Sequence, residues 1–375
     1  MIVRRTTRIP TKLRRFALAA LPLLVVAPAL AWANIDLKLS LVATSMHAPQ
    51  APPDLRIEAT WPNTCLPAVE AVTIVPGHID VHLRQPGTRC TVEPTAFAVE
   101  VNPARASGWS HLPRDVYAVR LFLAGAGSSG RLIAFRWLDA AADNPATPES
   151  GFWWSVANQR DGVAELIGSG ISLERQGERI AVTLFGYDAG RPEWAFGSGV
   201  LRGSVAHVQL MRMRGGNAPF TPGVSAPIAE PGPALHLHFA SPAQAEAWIE
   251  RDLAESDLGI ELQPLALARS TFSTARAGSA WQGRWVLIGG VHGDARVMQF
   301  NDAASTSDAD GFRLLDNSFG AELDCRLDDG PAAFPRRCTL RIDGRSATHF
   351  DRIGLDRLQG RDGEGRVAEL IRLPE

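Results

Sequence analysis

Apolar and polar residues alternate along many short segments of this chain. Ile35–Leu41, Leu55–Ala59 and Ile79–Leu83 each place an apolar residue at every second position. Such alternation is typical of a β-strand with one buried and one exposed face. The 34 glycines and 26 prolines suit many tight turns between short strands. The pattern therefore predicts an all-β chain.

The clearest strand pattern lies within residues 131–272. Ile180, Val182 and Leu184 face away from the residues between them, and a turn sequence, Asp-Ala-Gly-Arg-Pro at 188–192, follows. Trp194 and Phe196 then share one face of the returning strand. Short hairpins of this kind predict an antiparallel β-meander or barrel-like domain over residues 131–272.

Similar patterns flank this region on both sides. Residues 34–125 alternate in several segments, which predicts a β-sandwich. Residues 281–375 open with Gly283-Arg-Trp285 and predict a C-terminal antiparallel β domain. One hypothesis is that this third unit is a diverged duplicate of the second. The alternative is that it completes one larger barrel with residues 131–272, and the sequence leaves both open.

One stretch, Glu149–Trp194, resembles a repeat from secreted proteins of Gram-negative bacteria. That repeat begins G-x-W-(W/Y), continues G-x-G-(I/F)-x-(I/L)-E-x-Q-G and ends Y-D-x-x-G-x-P-x-W. The corresponding segments here are 151–154, 168–177 and 187–194, and the last of them is shorter by one residue. The family has no established activity. The resemblance therefore implies architecture and export, and it implies no ligand.

The N-terminal unit resembles immunoglobulin-like and fibronectin-type domains. Pro113 followed by Tyr117 is similar to the entry of a late strand in those folds, where the tyrosine bonds to backbone. The glycine that usually follows the proline is absent. Residues 61–65, Trp-Pro-Asn-Thr-Cys, are similar to a W-P-x-x-C opening of exported bacterial domains. The resemblance implies an immunoglobulin-like sandwich over residues 34–125.

Residues 241–258 carry conflicting signals. Ser241 is a good helix N-cap, Pro242 suits the first helical position, and Gln244 completes a capping box. The family resemblance implies a strand, a turn and a strand for the same residues. Because tertiary pairing often overrides local propensity, we predict the hairpin.

Residues 1–33 have the three parts of a secretory signal peptide: a basic start, an apolar centre and Ala31-Trp32-Ala33 as a cleavage site. They hold six of the 38 basic residues and none of the 40 acidic ones, which leaves the mature chain a net charge of about −8. That sign argues against a nucleic-acid-binding protein. The apolar centre is short and contains two prolines, so we expect no membrane span in the mature chain. We predict a periplasmic or secreted protein.

The four cysteines are Cys65, Cys90, Cys325 and Cys338. An even count in an oxidising compartment predicts two disulfides. The pairing that is closest in sequence joins Cys65 to Cys90 and Cys325 to Cys338, one pair in each of two predicted units. A zinc site would need a CxxC pair or a nearby histidine cluster, and the sequence has neither. We therefore predict no metal.

The sequence contains one dinucleotide-type glycine motif and neither of two common hydrolase motifs. Gly125–Gly130 matches GxGxxG, but the residues after it are rich in β-formers, whereas dinucleotide binding requires a helix there. We interpret this stretch as a hinge. Neither G-x-S-x-G nor H-E-x-x-H occurs. We predict no catalytic residue and no cofactor.

Some polar residues are weaker candidates for chemistry. His236 and His238 share one face of a predicted strand, and without a third ligand we interpret them as surface histidines. Asp308 and Asp310 resemble part of a calcium loop, but its first ligand position falls on Thr306, so we interpret an acidic turn. A glycosidase requires a pair of carboxylates, for which the candidates are Glu174, Glu178 and Asp188. Carboxylates are common at hairpin ends, so we interpret these as surface residues.

Trp154, Tyr187 and Trp194 are the best binding candidates. Adjacent Trp153 and Trp154 point to opposite faces of a strand, so one of them is expected to be exposed. Burial in the core is the alternative for each ring. An exposed tryptophan beside a tyrosine suits stacking on sugars or gripping a peptide.

Two classes of function follow. The first is an exported, non-catalytic binding or structural protein of the bacterial cell envelope, with an envelope glycan or another exported protein as partner. The alternative is a hydrolase of envelope polysaccharide or peptidoglycan that uses Glu and Asp side chains. A pocket with two carboxylates of raised pKa favours the enzyme, and a flat aromatic face favours binding.

Overall fold

The computed structural model describes residues 37–42, 54–75, 77–85, 90–106, 108, 112, 115–124, 130–140, 145–155, 168–188, 190–216, 226–253, 259–270, 278–290, 293, 295–305, 311–316, 318–327, 334–344 and 347–374. Almost all of this part of the chain is β-strand, as the alternating pattern predicts. The predicted signal peptide, the glycine-rich residues 125–129 and the acidic turn at 306–310 lie outside the described residues.

Seven strands near the N-terminus form two sheets around one core. The first sheet has the order β1-β2-β5 and the second the order β3-β4-β6-β7. The strands are β1 Lys38–Val42, β2 Asp54–Trp61, β3 Ala68–Val75, β4 His78–Arg84, β5 Thr95–Val101, β6 Val116–Ala124 and β7 Arg131–Asp139. A short helix, α1 Pro103–Ala106, follows β5. In β4 the alternation predicted from the sequence is present, since Ile79, Val81 and Leu83 are all fully buried.

The sandwich departs from the sequence-based expectations at two points. β4 and β6 are parallel, whereas an immunoglobulin-like sandwich is built from antiparallel sheets. β7 follows the predicted hinge yet pairs with β6, so the strand pairing groups Arg131–Asp139 with the sandwich. That strand also excludes the dinucleotide reading of the glycine motif, which requires a helix. The predicted Cys65–Cys90 disulfide is present.

The next eight strands form a closed antiparallel barrel in which each strand pairs with its neighbours in sequence. They are β8 Gly151–Ser155, β9 Gly170–Gln176, β10 Arg179–Asp188, β11 Arg191–Arg202, β12 Val205–Gly215, β13 Pro227–Ser241, β14 Gln244–Asp252 and β15 Ile260–Arg269. β15 returns to β8 through three residue pairs, which closes the barrel. The interior is mostly aliphatic, with Trp153 and Phe239 as its aromatic members. We call this unit the first barrel.

The contested residues 241–258 begin with a hairpin, which confirms the prediction. β13 ends at Ser241 and β14 starts at Gln244. β14 pairs with β13 on one side and with β15 on the other, so its backbone groups are satisfied in the sheet. Ala245 and Ala247 alternate into the barrel core. Pairing on both edges therefore outweighs the helix-capping signals.

The C-terminal nine strands form a separate sheet, so residues 131–375 do not build one larger barrel. The strands are β16 Gly283–Gly289, β17 Arg296–Phe300, β18 Asp302–Ser305, β19 Gly311–Asp316, β20 Ala321–Leu327, β21 Pro335–Ile342, β22 Ala347–Ile353, β23 Arg357–Asp362 and β24 Val367–Arg372. β17 and β18 are the two edges of this sheet, yet only Asn301 separates them in sequence. Its two edges are thus one bent segment, and the path of the chain matches an eight-stranded barrel. We call this unit the second barrel.

The predicted Cys325–Cys338 disulfide joins two directly opposite residues of β20 and β21. Both cysteines are buried in the core of the second barrel. The two barrels share a closing arrangement as well. Trp153 of β8 lies opposite Arg269 of β15, and Trp285 of β16 lies opposite Arg372 of β24.

The details of that closing arrangement also match. Each tryptophan donates its Nε1–H to the carbonyl four residues earlier, Glu149 at 3.2 Å and Trp281 at 2.9 Å. Each arginine donates to the carbonyl of the residue before the Gly-x-Trp glycine: Arg269 Nε to Ser150 at 3.0 Å, and Arg372 Nη2 to Gln282 at 2.6 Å. The two glycines have φ of 141° and 124°, which other residues rarely adopt. This shared arrangement supports the duplication hypothesis.

Candidate functional site: an aromatic face on the first barrel

Six aromatic side chains point outward from neighbouring strands of the first barrel. Phe152 and Trp154 lie on β8, Phe185 and Tyr187 on β10, and Trp194 and Phe196 on β11. Within each strand the two members are two residues apart, so they share the outer face. We call these six residues the aromatic face.

The rings of the aromatic face contact one another across the strands. Phe152 stacks on Trp154 at a centroid distance of 5.5 Å and lies 6.0 Å from Phe185. Phe185 is directly opposite Trp194 in the β10–β11 ladder, and Trp194 lies 6.1 Å from Phe196. The aromatic rings therefore form one surface that extends from β8 to β11.

Gly170 of β9 makes this continuity possible. β9 runs between β8 and β10, and Gly170 pairs with Trp154 on one side and Phe185 on the other. A Cβ atom at this position would lie 2.7 Å from Cε3 of Trp154 and 2.5 Å from the Trp153 carbonyl oxygen. Such contacts are too close for a methyl group. The missing side chain leaves room for the Trp154 ring to lie over β9.

The three binding candidates from the sequence are all exposed. Trp154 retains 41% of its accessible surface, Tyr187 61% and Trp194 52%, whereas Trp153 retains 0%. The core alternative is therefore excluded for these three rings, and the prediction that Trp153 and Trp154 face opposite sides is confirmed. The sequence analysis did not select Phe152, Phe185 and Phe196 as binding residues. Their positions two residues from the three candidates are the signal that identifies them.

Beside the aromatic face, one end of the first barrel opens into a cavity of about 410 Å³. Tyr187 and Trp194 belong to its rim. Glu193 lies in the cavity wall and forms an ion pair with Arg212 of β12, with a separation of 2.6 Å between Glu193 Oε1 and Arg212 Nε. Leu184 and Ile249 supply apolar surface. The cavity can thus receive a small group with both polar and apolar parts next to the stacked rings.

Two carboxyl groups with a raised pKa, Glu250 and Asp252, lie beside this cavity. Burial raises the pKa of Glu250, and burial together with the Glu250 charge raises the pKa of Asp252 on the same strand. Both residues border the barrel-end cavity, but Glu250 Oε2 is hydrogen-bonded to His236 Nε2 at 2.8 Å and its side chain is almost fully buried. Glu174 and Glu178 are exposed, in agreement with their interpretation as surface residues. The Asp188 side chain lies outside the described part of the chain.

His236 is buried and His238 is half-buried, which corrects the interpretation of both as surface histidines. They share the outer face of β13, as predicted, but that face packs against β7 of the sandwich. His236 is fully buried and meets Phe135 edge-on at 4.9 Å. Burial, with the nearby Arg136 charge, holds the pKa of His236 well below its usual value. The alternating pattern shows which residues share a face of a strand. It does not show which outer face is covered by another part of the molecule.

Among the described residues there is no cluster of three or more His, Cys, Asp or Glu side chains arranged to hold a metal ion. In the same part of the chain, no helix has the length and apolar composition needed to cross a membrane. No protein-family model matches this chain, and no curated protein matches it either.

Proposed function

We propose that this chain is an exported, non-catalytic binding protein of the bacterial cell envelope that holds its ligand on the aromatic face. The observation that carries the proposal is the set of six outward aromatic rings on β8, β10 and β11, of which Phe152 and Phe196 are half-buried and the other four are exposed. Isolated exposed apolar residues are normal, whereas a continuous exposed apolar patch marks an interaction site. Rings held on paired strands also lose little conformational freedom on binding.

The proposed ligand is an envelope glycan. The CH-rich faces of sugar rings are apolar and flat, and they match a row of exposed aromatic rings such as Trp154, Phe185 and Trp194. The ion pair of Arg212 and Glu193 at the rim supplies hydrogen-bonding groups for hydroxyls. Another exported protein is the second possible partner, and titration with purified glycans distinguishes the two.

Export and family kinship are parts of the same proposal. Two disulfides accord with folding in an oxidising compartment, and the Ala31–Ala33 cleavage site supplies the route. We also propose kinship of the N-terminal sandwich with immunoglobulin-like domains, supported by its seven strands in two sheets. The resemblance of 149–194 to secreted Gram-negative repeats is consistent with both.

The alternative, an envelope hydrolase, would have to use Glu250 and Asp252, because both border the cavity and both have a raised pKa. The Glu250 carboxyl is hydrogen-bonded to His236 and only 7% of its side chain is exposed, which disfavours catalysis on a polymer. Release of reducing ends from peptidoglycan or polysaccharide by the wild type, with loss in Glu250→Gln, would support the hydrolase.

The binding proposal is tested by titrating the mature protein with purified peptidoglycan fragments and envelope polysaccharide, with binding followed by calorimetry. Trp154→Ala and Trp194→Ala should each weaken binding by about tenfold or more, because a central aromatic contact contributes over 1 kcal/mol. The matched control is Ile288→Ala, an exposed apolar residue on the outside of the second barrel. Binding that is equal in all three variants would contradict the proposal. Binding of an exported protein, without binding of any glycan, would mean that the ligand of the aromatic face is a protein.

A further inference from the structure

A cleft of about 740 Å³ lies between the sandwich and the outside of the first barrel. Its sandwich wall comes from β1 and β7, and its barrel wall from β11, β12 and β13. The polar lining includes Arg136, Trp137 and Asp139 on the sandwich side, and Arg202, His207 and His236 on the barrel side. The volume falls within the range of small-molecule sites. We call it the sandwich–barrel cleft.

Three buried ring nitrogens of residues that line this cleft have no hydrogen-bond partner within the described part of the chain. They are Trp137 Nε1, His207 Nδ1 and His236 Nδ1. Buried polar groups in native proteins are nearly always paired. A tryptophan N–H is only ever a donor, so its partner must supply an acceptor. Three such atoms around one cleft point to a ligand with hydrogen-bond acceptors.

The His236 ring is held by a hydrogen bond, and the His207 ring packs beside it. His236 is fully buried, and its Nε2 is held by Glu250 Oε2 at 2.8 Å. The His207 ring lies 4.8 Å from the His236 ring. A protonated Glu250 donates its O–H to His236 Nε2, and His236 Nδ1–H is then a donor as well. The pair is therefore able to present N–H groups beside Trp137.

The charges around the cleft favour an anion. Arg136 donates Nε to the Leu37 carbonyl at 3.2 Å and lies 3.8 Å from Glu250 Oε2, and Lys38 and Arg202 are exposed at the rim. Of the nearby carboxyl groups, Glu250 is shared between His236 and Arg136, and Asp139 accepts from the Ser204 backbone N–H at 2.7 Å. Three cationic side chains thus lie near two carboxyl groups, and Lys38 and Arg202 are the two that face solvent at the rim.

The rest of the lining is apolar. Leu37, Leu138, Pro145, Val205 and Ala206 border the cleft together with the Trp137 ring. Apolar walls with a few polar groups at one place are typical of sites for amphipathic small molecules. The anionic group of a ligand would lie at the histidines and its apolar body along these walls.

We propose that the sandwich–barrel cleft binds a small amphipathic oxyanion, a carboxylate or phosphate ester with an apolar body, whose oxygens accept hydrogen bonds from Trp137, His207 and His236. This site is separate from the aromatic face and does not rest on the glycan proposal.

The test is calorimetric titration of the mature protein with octanoate, octyl phosphate, octanol and inorganic phosphate. Octanoate or octyl phosphate should bind at least tenfold more tightly than octanol, because only they offer a charged acceptor. Inorganic phosphate should bind more weakly than octyl phosphate, because it lacks the apolar body. The comparison of octanoate with octyl phosphate identifies which oxyanion the site prefers.

The decisive variant is Trp137→Phe, which keeps an aromatic ring and removes the N–H donor. It should weaken the preferred oxyanion about tenfold and leave octanol binding unchanged. Trp194→Phe on the aromatic face is the control and should bind the oxyanion like the wild type. Circular dichroism and the melting temperature confirm that both variants are folded.

Three results would overturn the proposal: no saturable binding of octanoate or octyl phosphate, octanol binding as tightly as both, or equal weakening by Trp137→Phe and Trp194→Phe. Loss of glycan binding in the aromatic-face variants would not affect oxyanion binding in the sandwich–barrel cleft. The two proposals therefore fail independently.

Discussion

The two barrels close in the same way but place their aromatic residues on opposite sides. The second barrel keeps its large rings inside, where Trp281, Trp285, Phe300, Phe312 and Phe350 are all buried. The first barrel is filled mainly with aliphatic side chains and carries six aromatic rings on its outside. Since the second barrel closes without such an outer surface, the fold does not require it. The aromatic face is therefore better explained by binding than by stability.

The two barrels also differ at the equivalent position just before each Gly-x-Trp motif. Glu149 and Trp281 each lie four residues before the buried tryptophan and accept its Nε1–H on their backbone carbonyls. The Trp281 ring enters the second barrel and stacks on Phe312 at 5.2 Å. The Glu149 side chain instead reaches out of the first barrel to the chain after β22. The same framework position thus holds a core aromatic in one barrel and a bridge between the barrels in the other.

The largest expected effect tests whether the shared closing arrangement has equal weight in both barrels. Trp153→Ala and Trp285→Ala each remove a fully buried indole, so each should cost about 3–5 kcal/mol of unfolding free energy. Urea denaturation followed by circular dichroism measures the cost. The neighbouring outward residues, in Trp154→Ala and Val286→Ala, are the controls and should cost much less. A large loss for only one of the two buried tryptophans would break the equivalence of the barrels.

The next effect concerns the bridge between them. Glu149 accepts backbone N–H groups from Leu355 at 2.9 Å, Asp356 at 2.7 Å and Arg357 at 2.8 Å, and its carboxylate pairs with Arg269 at 2.9 Å. Glu149→Ala leaves these buried groups unpaired and should destabilise the protein by about 3 kcal/mol.

Glu149→Gln is the matched variant for this bridge, because its amide oxygen still accepts hydrogen bonds and it should lose less stability. Hydrogen exchange should show the faster amide exchange of Glu149→Ala at residues 355–357. If Glu149→Gln is as unstable as Glu149→Ala, the ion pair rather than the backbone contacts holds the barrels together.

The strand content, both disulfides and the opposite orientation of Trp153 and Trp154 were predictable from the sequence. Alternation determines which side chains share a face, and two cysteine pairs close in sequence leave one simple pairing within each unit. The hairpin at Ser241 needed the resemblance as well, because its local capping signals favour a helix. Its pairing with β15, almost twenty residues further on, is a tertiary interaction that local sequence does not contain.

Other features were beyond the sequence because they depend on how units pack. His236 alternates with apolar residues just as a surface histidine does, and only the docking of β7 buries it. Gly170 reads as a turn or bulge residue in the sequence. Its role under the Trp154 ring depends on the pairing of β8 with β9. The sandwich–barrel cleft joins residues that are far apart in the chain and has no motif.

The two barrels should also differ in how their stability depends on pH, because a histidine cluster lies on the outside of the first barrel. Burial, with the Arg136 and His236 charges adding to it, lowers the pKa of His207 to about 2. Burial also lowers the pKa of His236 and, against the charges of Glu246, Asp139 and Asp115, that of His238. His207 and His236 therefore stay neutral in the folded protein at mildly acidic pH, and His238 takes up its proton at a lower pH than in the unfolded chain, where all three titrate near pH 6.5.

This difference in proton uptake determines whether stability rises or falls with pH. Below about pH 6.5 the unfolded state binds more protons at the histidines, so stability falls as the pH decreases, by up to about 1.4 kcal/mol per pH unit for each histidine. Glu250, Asp252 and Glu149 oppose this, because the raised pKa of each means that the folded state takes up a proton first, which adds stability as the pH falls through that pKa. The contribution of His207 extends from about pH 6.5 down to its folded pKa of about 2.

Hydrogen exchange at pH 7 and pH 5.5, corrected for intrinsic rates, should show the larger loss of protection in β12 and β13 and the smaller one in the second barrel. His207→Asn should reduce the slope of stability against pH by about one histidine's share. An equal loss of protection in both barrels, or an unchanged slope in His207→Asn, would contradict the role of the cluster.

The smallest expected effect on stability is the one that isolates the aromatic face. Trp194→Ala and Tyr187→Ala remove side chains that are more than half exposed, so each should change the unfolding free energy by about 0.5 kcal/mol or less. Gly170→Ala should also split the aromatic surface between β8 and β10, because its methyl group would collide with the Trp154 ring. It would collide with the Trp153 carbonyl oxygen as well, so it should cost more stability than the two exposed-ring variants. It should weaken glycan binding as much as Trp154→Ala does. Ile288→Ala, on the outside of the second barrel, should change neither stability nor binding. A loss of several kcal/mol in Trp194→Ala would mean that the outer rings support the fold, and the contrast between the two barrels would no longer point to a ligand.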